Sequence, residues 1–188
     1  ASVSESSLAL RILTDLALAT SQIEAGDIKQ FFGFSEFKTT YKLGFDLLNR
    51  IYENAPGLVV DKLKATLEGV GEAIRAKTKH RGIIFAYDEV QTMEDHAQDK
   101  QYPLSMLLDL FQSIQRKGIP FMLLLTGLPT LFPKLVAART YSERMFETIF
   151  LDRLSSSESK EAIEQPLEED KNPIRFTFHE SRWPSGLP

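Results

Sequence analysis

The chain contains no cysteine, which excludes disulfides and thiolate metal centres and is compatible with a reducing compartment. It has no apolar run approaching the roughly 18 residues that a membrane-spanning helix needs. Its first residues, Ala1-Ser2-Val3-Ser4-Glu5, carry neither an initiating methionine nor the apolar stretch of a signal peptide, so the chain reads as cut from something longer. Positive charge is not in excess. Lys and Arg number 22 against 26 Asp and Glu, a formal net charge of −4. That balance argues against a generally basic nucleic-acid-binding surface and leaves a local patch open. No internal repeat and no low-complexity segment is present. What is there, 43% hydrophobic and 26% charged over 188 residues, is the balance of an ordinary globular domain with at most a short start of another.

Apolar periodicity divides the chain. Leu8, Ile12, Leu13, Leu16 and Ala19 predict an amphipathic helix over 6–20, with several serines before it able to cap it. Residues 27–57 are less regular, with Phe31, Phe32, Phe34 and Phe37 crowded around Gly33. These aromatics fit the core of a small helical insertion better than an exposed partner-binding loop. Leu43, Leu47, Leu48 and Ile51 predict a second helix, ended by Ala55-Pro56-Gly57, and Leu63, Leu67, Val70 and Ile74 a third. After the basic stretch Lys77–Arg81, read as a solvated linker, Ile83–Tyr87 is a continuous apolar run of the kind that forms a strand covered on both faces. A helix follows at about 102–117 with Leu104, Leu107, Leu108, Phe111 and Ile114 inward and Gly118 at its C-cap. Phe121–Leu125 predicts a second buried strand, 130–138 a short helix and 146–151 a third strand. The Ser155 to Glu158 spacing of a capping box then opens a helix that Pro166 closes. Strands alternating with helices imply a doubly wound α/β sheet. The tail from Asn172 shows no period.

Three places could carry chemistry. Asp88-Glu89 follows the first apolar strand, and ligands of open α/β sheets gather at the carboxyl ends of strands. Two acids there could hold a hydrated Mg²⁺ through Asp88 and polarise a water through Glu89. The plainer reading is an acid pair that caps a loop. Thr126-Gly127 ends the second strand, where a hydroxyl could orient water or touch a γ-phosphate; Thr-Gly is also an ordinary turn. Arg144, in Tyr141-Ser142-Glu143-Arg144-Met145-Phe146, could neutralise transferring phosphate charge or form a surface ion pair. The three histidines, His80, His96 and His179, lie far apart, and Glu94-Asp95-His96 with Asp99 reads as a solvated loop rather than a metal site.

Taken in order, strand plus Asp88-Glu89, helix, strand plus Thr126-Gly127, short helix, Tyr141–Phe146, strand and capped helix resemble the AAA+ branch of P-loop ATPases, near the origin-recognition ATPases and related bacterial and archaeal ATP-binding proteins. The likeness covers about 80–167 well and 1–20 loosely. It implies a Walker B pair at Asp88 and Glu89, a sensor-1 residue at Thr126, and an arginine at Arg144 that faces a neighbouring AAA+ subunit, with Arg139 as a weaker substitute. It further implies a mainly parallel P-loop-type sheet, ATP and Mg²⁺ as ligands, a cytoplasmic setting, and a partial core over 1–167 with 27–80 as a helical insertion and 168–188 as the start of a lid or an irregular tail. The departure is equally plain. The phosphate-cradling G-x-x-x-x-G-K-[ST] is missing, and the resemblance places it upstream of Ala1. No second sensor arginine is identifiable, since Arg175 and Arg182 sit in the unpatterned tail. The expected function is a nucleotide-driven switch. A degenerate, non-catalytic scaffold that binds through 27–80 is the alternative. A different doubly wound enzyme using Asp88 would need a nucleophilic Asp at the end of a first strand, and none is found.

Overall fold

The computed structural model describes residues 3–25, 41–77 and 81–168. The Phe31–Phe37 cluster, His80, His179, and the tail from Asn172 with Arg175 and Arg182 lie outside the described residues. The chain divides into two compact units, Ala1–Thr148 and Ile149–Pro188.

In the first unit, helix α1 (Glu5–Thr20) starts at Ser4, whose hydroxyl accepts from the Ser7 N–H while Ser7 Oγ accepts from the Ser4 N–H. This reciprocal pair satisfies two donors of the first turn. Two short strands, β1 (Glu24–Ala25) and β2 (Tyr41–Lys42), pair antiparallel and lead into α2 (Phe45–Asn54) and α3 (Val59–Lys77). Strand β3 (Ile83–Tyr87), helix α4 (Pro103–Arg116) and strand β4 (Phe121–Leu125) follow as one β-α-β unit, with short 3₁₀ turns at Val90–Thr92 and Ala97–Asp99 in the connection from β3 to α4. Helices α5 (Leu131–Ala138) and α6 (Ser142–Met145) end the unit.

One core gathers these elements. Leu8, Ile12, Leu13 and Leu16 of α1 meet Leu47, Leu48 and Ile51 of α2, Leu63, Leu67, Val70 and Ile74 of α3, and Leu107, Phe111 and Ile114 of α4. The helical residues 45–77 thus share the core of the β-α-β unit. Ala19, expected inward, is exposed; Ala17 and Thr20 are buried instead, because the buried stripe of α1 repeats every four residues as Leu8-Ala9, Ile12-Leu13, Leu16-Ala17 and Thr20 and passes over position 19. Phe85 stands edge-on to Phe111 at 5.2 Å and to Phe121 at 5.8 Å. Such pairs contribute beyond their buried area. Helix α4 closes as its sequence requires. Gly118 takes φ +65, its N–H bonds to Gln115 O at 2.8 Å, and Ile119 N–H reaches Ile114 O at 3.2 Å, the paired ending that a left-handed residue makes possible.

Strands β3 and β4 are parallel, with Ile83 opposite Phe121 and Tyr87 opposite Leu125. At the entry to β3 the backbones come so close that a Cβ on Gly82 would lie 1.9 Å from Pro120 O. The expectation that these strands are covered on both faces is corrected. Phe85, Phe121 and Leu123 are buried, whereas Ile84 is 63%, Met122 52% and Leu124 43% exposed. Alternate side chains of a strand point to opposite faces, and among the described residues the helices cover only one. Of the doubly wound sheet, the described residues contain this single β-α-β unit within a mixed α/β fold.

The strand expected at 146–151 is also corrected: these residues form neither strand nor helix, and Ile149, Phe150 and Leu151 are largely exposed. An apolar run becomes a strand only where a ladder partner receives it, and periodicity carries no information about the partner. In the second unit, α7 (Ser156–Glu168) opens with the expected capping box: Ser155 N–H donates to Glu158 Oε2 at 2.7 Å and Glu158 N–H to Ser155 Oγ at 3.3 Å. The helix continues to Glu168 instead of closing at Pro166. A proline this close to the last turn deletes one backbone donor without ending the helix. Among the described residues no helix is long and apolar enough to cross a membrane.

Candidate functional site

The parallel register brings the carboxyl ends of β3 and β4 side by side, so Asp88 and Thr126 are the next residues beyond the last paired couple, Tyr87 and Leu125. The ladder runs slightly further, with Thr126 N–H on Tyr87 O at 2.9 Å and Val90 N–H on Thr126 O at 3.2 Å. Across this junction Thr126 Oγ1 donates to Asp88 Oδ1, which also accepts the Glu89 N–H at 2.8 Å. These two bonds, the threonine hydroxyl first, hold the Asp88 carboxyl below the ordinary carboxylate range. Both favour its ionised form although the side chain is exposed. Asp88 Oδ2 has no hydrogen-bond partner among the described residues, and the residue is exposed.

Glu89 carries the most unusual backbone of the site, φ 56 and ψ 32. A left-handed conformation is uncommon for a non-glycine residue, and such positions cluster where a local arrangement over-determines them. The consequence is a sharp exit from β3: the chain folds at once into the 3₁₀ turn Val90–Thr92, with Val90 buried. Glu89 Oε2 accepts from Gln91 Nε2, and the Thr92 hydroxyl donates to the Glu89 carbonyl at 2.7 Å.

Asp88, Glu89 and Thr126 are therefore brought together, and Arg144 is not joined to them. Arg144 lies in the single turn α6, exposed, and its guanidinium makes no hydrogen bond or ion pair with any described residue. The strand expected just after it is not formed. Arg139 has the opposite situation. Its Nε and Nη2 reach Asp109 Oδ1 and Oδ2 at 2.9 and 2.7 Å, and its Nη1 reaches Ser105 Oγ at 2.7 Å. Tyr141 adds a 2.6 Å bond to Asp109. Burial alone would raise the Asp109 carboxyl, but the bonds from Arg139 and Tyr141 outweigh it and hold the group below its ordinary value. Burial, then the Asp109 carboxylate, push the Tyr141 phenol up. With all three of its nitrogens bonded to Asp109, Ser105 and the Ala138 carbonyl, Arg139 holds α4 to the segment after α5.

The acidic stretch after the site is likewise occupied. Glu94 pairs with Lys134 at 2.7 Å. Asp95 Oδ1 accepts the N–H groups of Leu104 and Ser105 at 3.0 and 3.1 Å, which caps α4 from a distance where Tyr102, at the N-cap, offers no side-chain bond. Among the described residues no group of three or more His, Asp or Glu side chains is placed to hold a metal ion. The residues that sequence reasoning passed over are Gln91 and Lys134. Lys134 Nζ donates to the Gln91 carbonyl at 2.6 Å as well as pairing with Glu94. Neither belongs to a spacing pattern, and only the folded loops bring them in.

No family model matches the chain, and no curated protein or solved structure matches it either.

Proposed function

We propose that Asp88, Glu89 and Thr126 form the metal- and water-handling half of a Mg-ATP site of AAA+ P-loop type, in a protein that uses nucleotide turnover as a conformational switch. The observation that carries this reading is the Thr126 to Asp88 hydrogen bond, which spans the carboxyl ends of two parallel neighbouring strands. That is where open α/β sheets take their ligands. Mg²⁺ binds through one or two carboxylates and keeps several waters, so Oδ2 of the exposed Asp88, left without a partner among the described residues, fits it without a larger cage. The ion, when bound, neutralises phosphate charge. Glu89 Oε1, which has no partner among the described residues, is available to take a proton from water. Thr126 orients the Asp88 carboxylate, and its hydroxyl oxygen retains acceptor capacity. Arg144, exposed and unpaired, is the arginine available to a neighbouring subunit's nucleotide, whereas Arg139 is held by Asp109.

A second reading, a non-catalytic scaffold of the same fold, turns on one feature: whether the phosphate-cradling G-x-x-x-x-G-K-[ST] loop, which does not occur in these 188 residues, accompanies them in a longer protein. One experiment separates the two. The purified chain, titrated with a fluorescent ATP analogue and Mg²⁺, is expected to show no micromolar binding, since that loop supplies most phosphate contacts. In a longer protein that carries the loop together with this chain, binding should appear. Glu89→Gln should then retain it and abolish hydrolysis, while Asp88→Asn should weaken the Mg²⁺ dependence. Tight Mg-dependent binding by the chain alone, or equal and mild effects of the two substitutions, refutes the proposal.

A further inference from the structure

The side chain of Gln91 crosses between the two loops that carry the site. Its Nε2 donates to Glu89 Oε2 in the loop after β3, and its Oε1 accepts the Leu128 N–H at 3.2 Å in the turn after β4. The crossing exists because residue 127 is glycine: a Cβ there would lie 2.2 Å from Gln91 Oε1 and displace the amide. From behind, Lys134 of α5 fixes the Gln91 carbonyl at 2.6 Å. From in front, the left-handed backbone at Glu89 turns the glutamate side chain back toward the amide two residues on.

We propose that Gln91 is a positioning residue, whose amide sets the direction of the Glu89 carboxylate and ties that direction to the 126–128 turn. It rests on the reading of Glu89 as the water-polarising group. An amide suits the task because it offers a donor and an acceptor on one planar unit; a carboxylate has no donor, an ammonium no acceptor, and an alkyl chain neither. The same turn carries Thr126, which holds Asp88. A displacement of that turn therefore releases the metal-binding acid and the base together. One backbone segment governs both halves of the acid pair.

The test has two arms. In the first, NMR on the 188-residue chain follows amide hydrogen exchange at Leu128 and the side-chain NH₂ resonances of Gln91. Gln91→Leu should speed Leu128 exchange about tenfold, and Gln91→Glu should leave it slow because a carboxylate still accepts. Glu89→Ala should move the Gln91 NH₂ resonances. Unchanged exchange in Gln91→Leu, or unmoved resonances in Glu89→Ala, overturns the proposal. In the second arm, ATP hydrolysis is measured where a phosphate-cradling loop accompanies this chain. Gln91→Leu and Gln91→Glu should each lower kcat about tenfold at unchanged KM. A purely structural Gln91 would leave Gln91→Glu at the wild-type rate, since that variant keeps the bond to Leu128. Wild-type kcat in Gln91→Glu beside an inactive Glu89→Gln therefore overturns the positioning role. Wild-type kcat in Glu89→Gln overturns the base reading instead, and the exchange arm still decides the Gln91 contacts.

Discussion

Replacing Arg139 by methionine keeps most of the aliphatic stem and removes every donor that ties α4 to the segment after α5. Lost are the two bonds to Asp109, one to Ser105 and one to the Ala138 carbonyl, all between 2.7 and 2.9 Å. Breaking a fully buried pair costs about 3–5 kcal/mol, and exposed pairs contribute about 0.2–1 kcal/mol. Here the side chains are 35% and 42% exposed, so water recovers part of the loss and solvent screens the remainder. The expected destabilisation is about 1–3 kcal/mol, a drop of about 1 M in the urea midpoint for a domain of this size. Urea unfolding followed by circular dichroism measures it. The pH dependence has a definite sign. Asp109 is held below its ordinary value of 3.8 in the folded chain, so its contribution is present above that value and is lost as pH falls through the folded-state titration. The gap between wild type and Arg139→Met should therefore be full at neutral pH and narrow in acid below the ordinary value. A double-mutant cycle with Asp109→Asn isolates the coupling. A gap under about 0.5 kcal/mol at pH 7, or one that is unchanged in acid, refutes the structural assignment of Arg139 and returns it to the pool of arginines available for phosphate.

Three further outcomes follow from the geometry. Thr126→Val removes the first of the two bonds that depress Asp88, so its carboxyl titration, read by carbon NMR, should move upward toward the ordinary value; an unmoved midpoint would mean the hydroxyl points elsewhere. Asp95→Ala strips the remote cap from two N–H groups of α4 and should destabilise the chain by about 1–2 kcal/mol in the same urea assay, with Asp95→Asn recovering part of the loss. Phe111→Ala, at the fully buried junction of α4 with Phe85, should cost about 3–5 kcal/mol, and a loss under about 1 kcal/mol would show that the aromatic cluster is not packed as described.

Periodicity read from the sequence located the elements whose packing it encodes directly. Leu104, Leu107, Leu108, Phe111 and Ile114 were expected inward on α4 and are buried, as are the spaced leucines of α2 and α3. Gly118 was legible because a left-handed helix end favours one residue type. Where the sequence misled, the missing quantity was a partner. Ile84, Met122 and Leu124 are as apolar as their buried neighbours, and nothing local distinguishes a strand covered twice from one covered once. Phe146 to Leu151 has strand-forming side chains and no ladder to join among the described residues. Pro166 illustrates the converse, a strong local signal that loses to its position near a helix end.

The site divides along the same line. Asp88, Glu89 and Thr126 were legible because each sits at the end of an apolar run, and parallel pairing in register makes ends of runs into neighbours. The bond from Thr126 to Asp88 was not among the expectations, which gave the hydroxyl to water or a γ-phosphate; it follows from the register of the two strands. Gln91 was not legible, because its placement depends on backbone states that side-chain pattern does not encode: a left-handed Glu89 that turns the loop back, and a Gly127 that lets another side chain occupy its Cβ position. The distinction between the two arginines has the same origin. Arg139 and Arg144 are five positions apart in sequence, and only the resemblance to AAA+ ATPases prefers Arg144, in Ser142-Glu143-Arg144-Met145-Phe146. What separates them is Asp109 on α4, which reaches one guanidinium with both oxygens and makes no bond to the other. An arginine that already neutralises a carboxylate has little left to offer a phosphate, so under the proposed nucleotide reading the exposed Arg144, whose guanidinium is unpaired among the described residues, is the group whose removal should register in turnover, while Arg139 should register in stability.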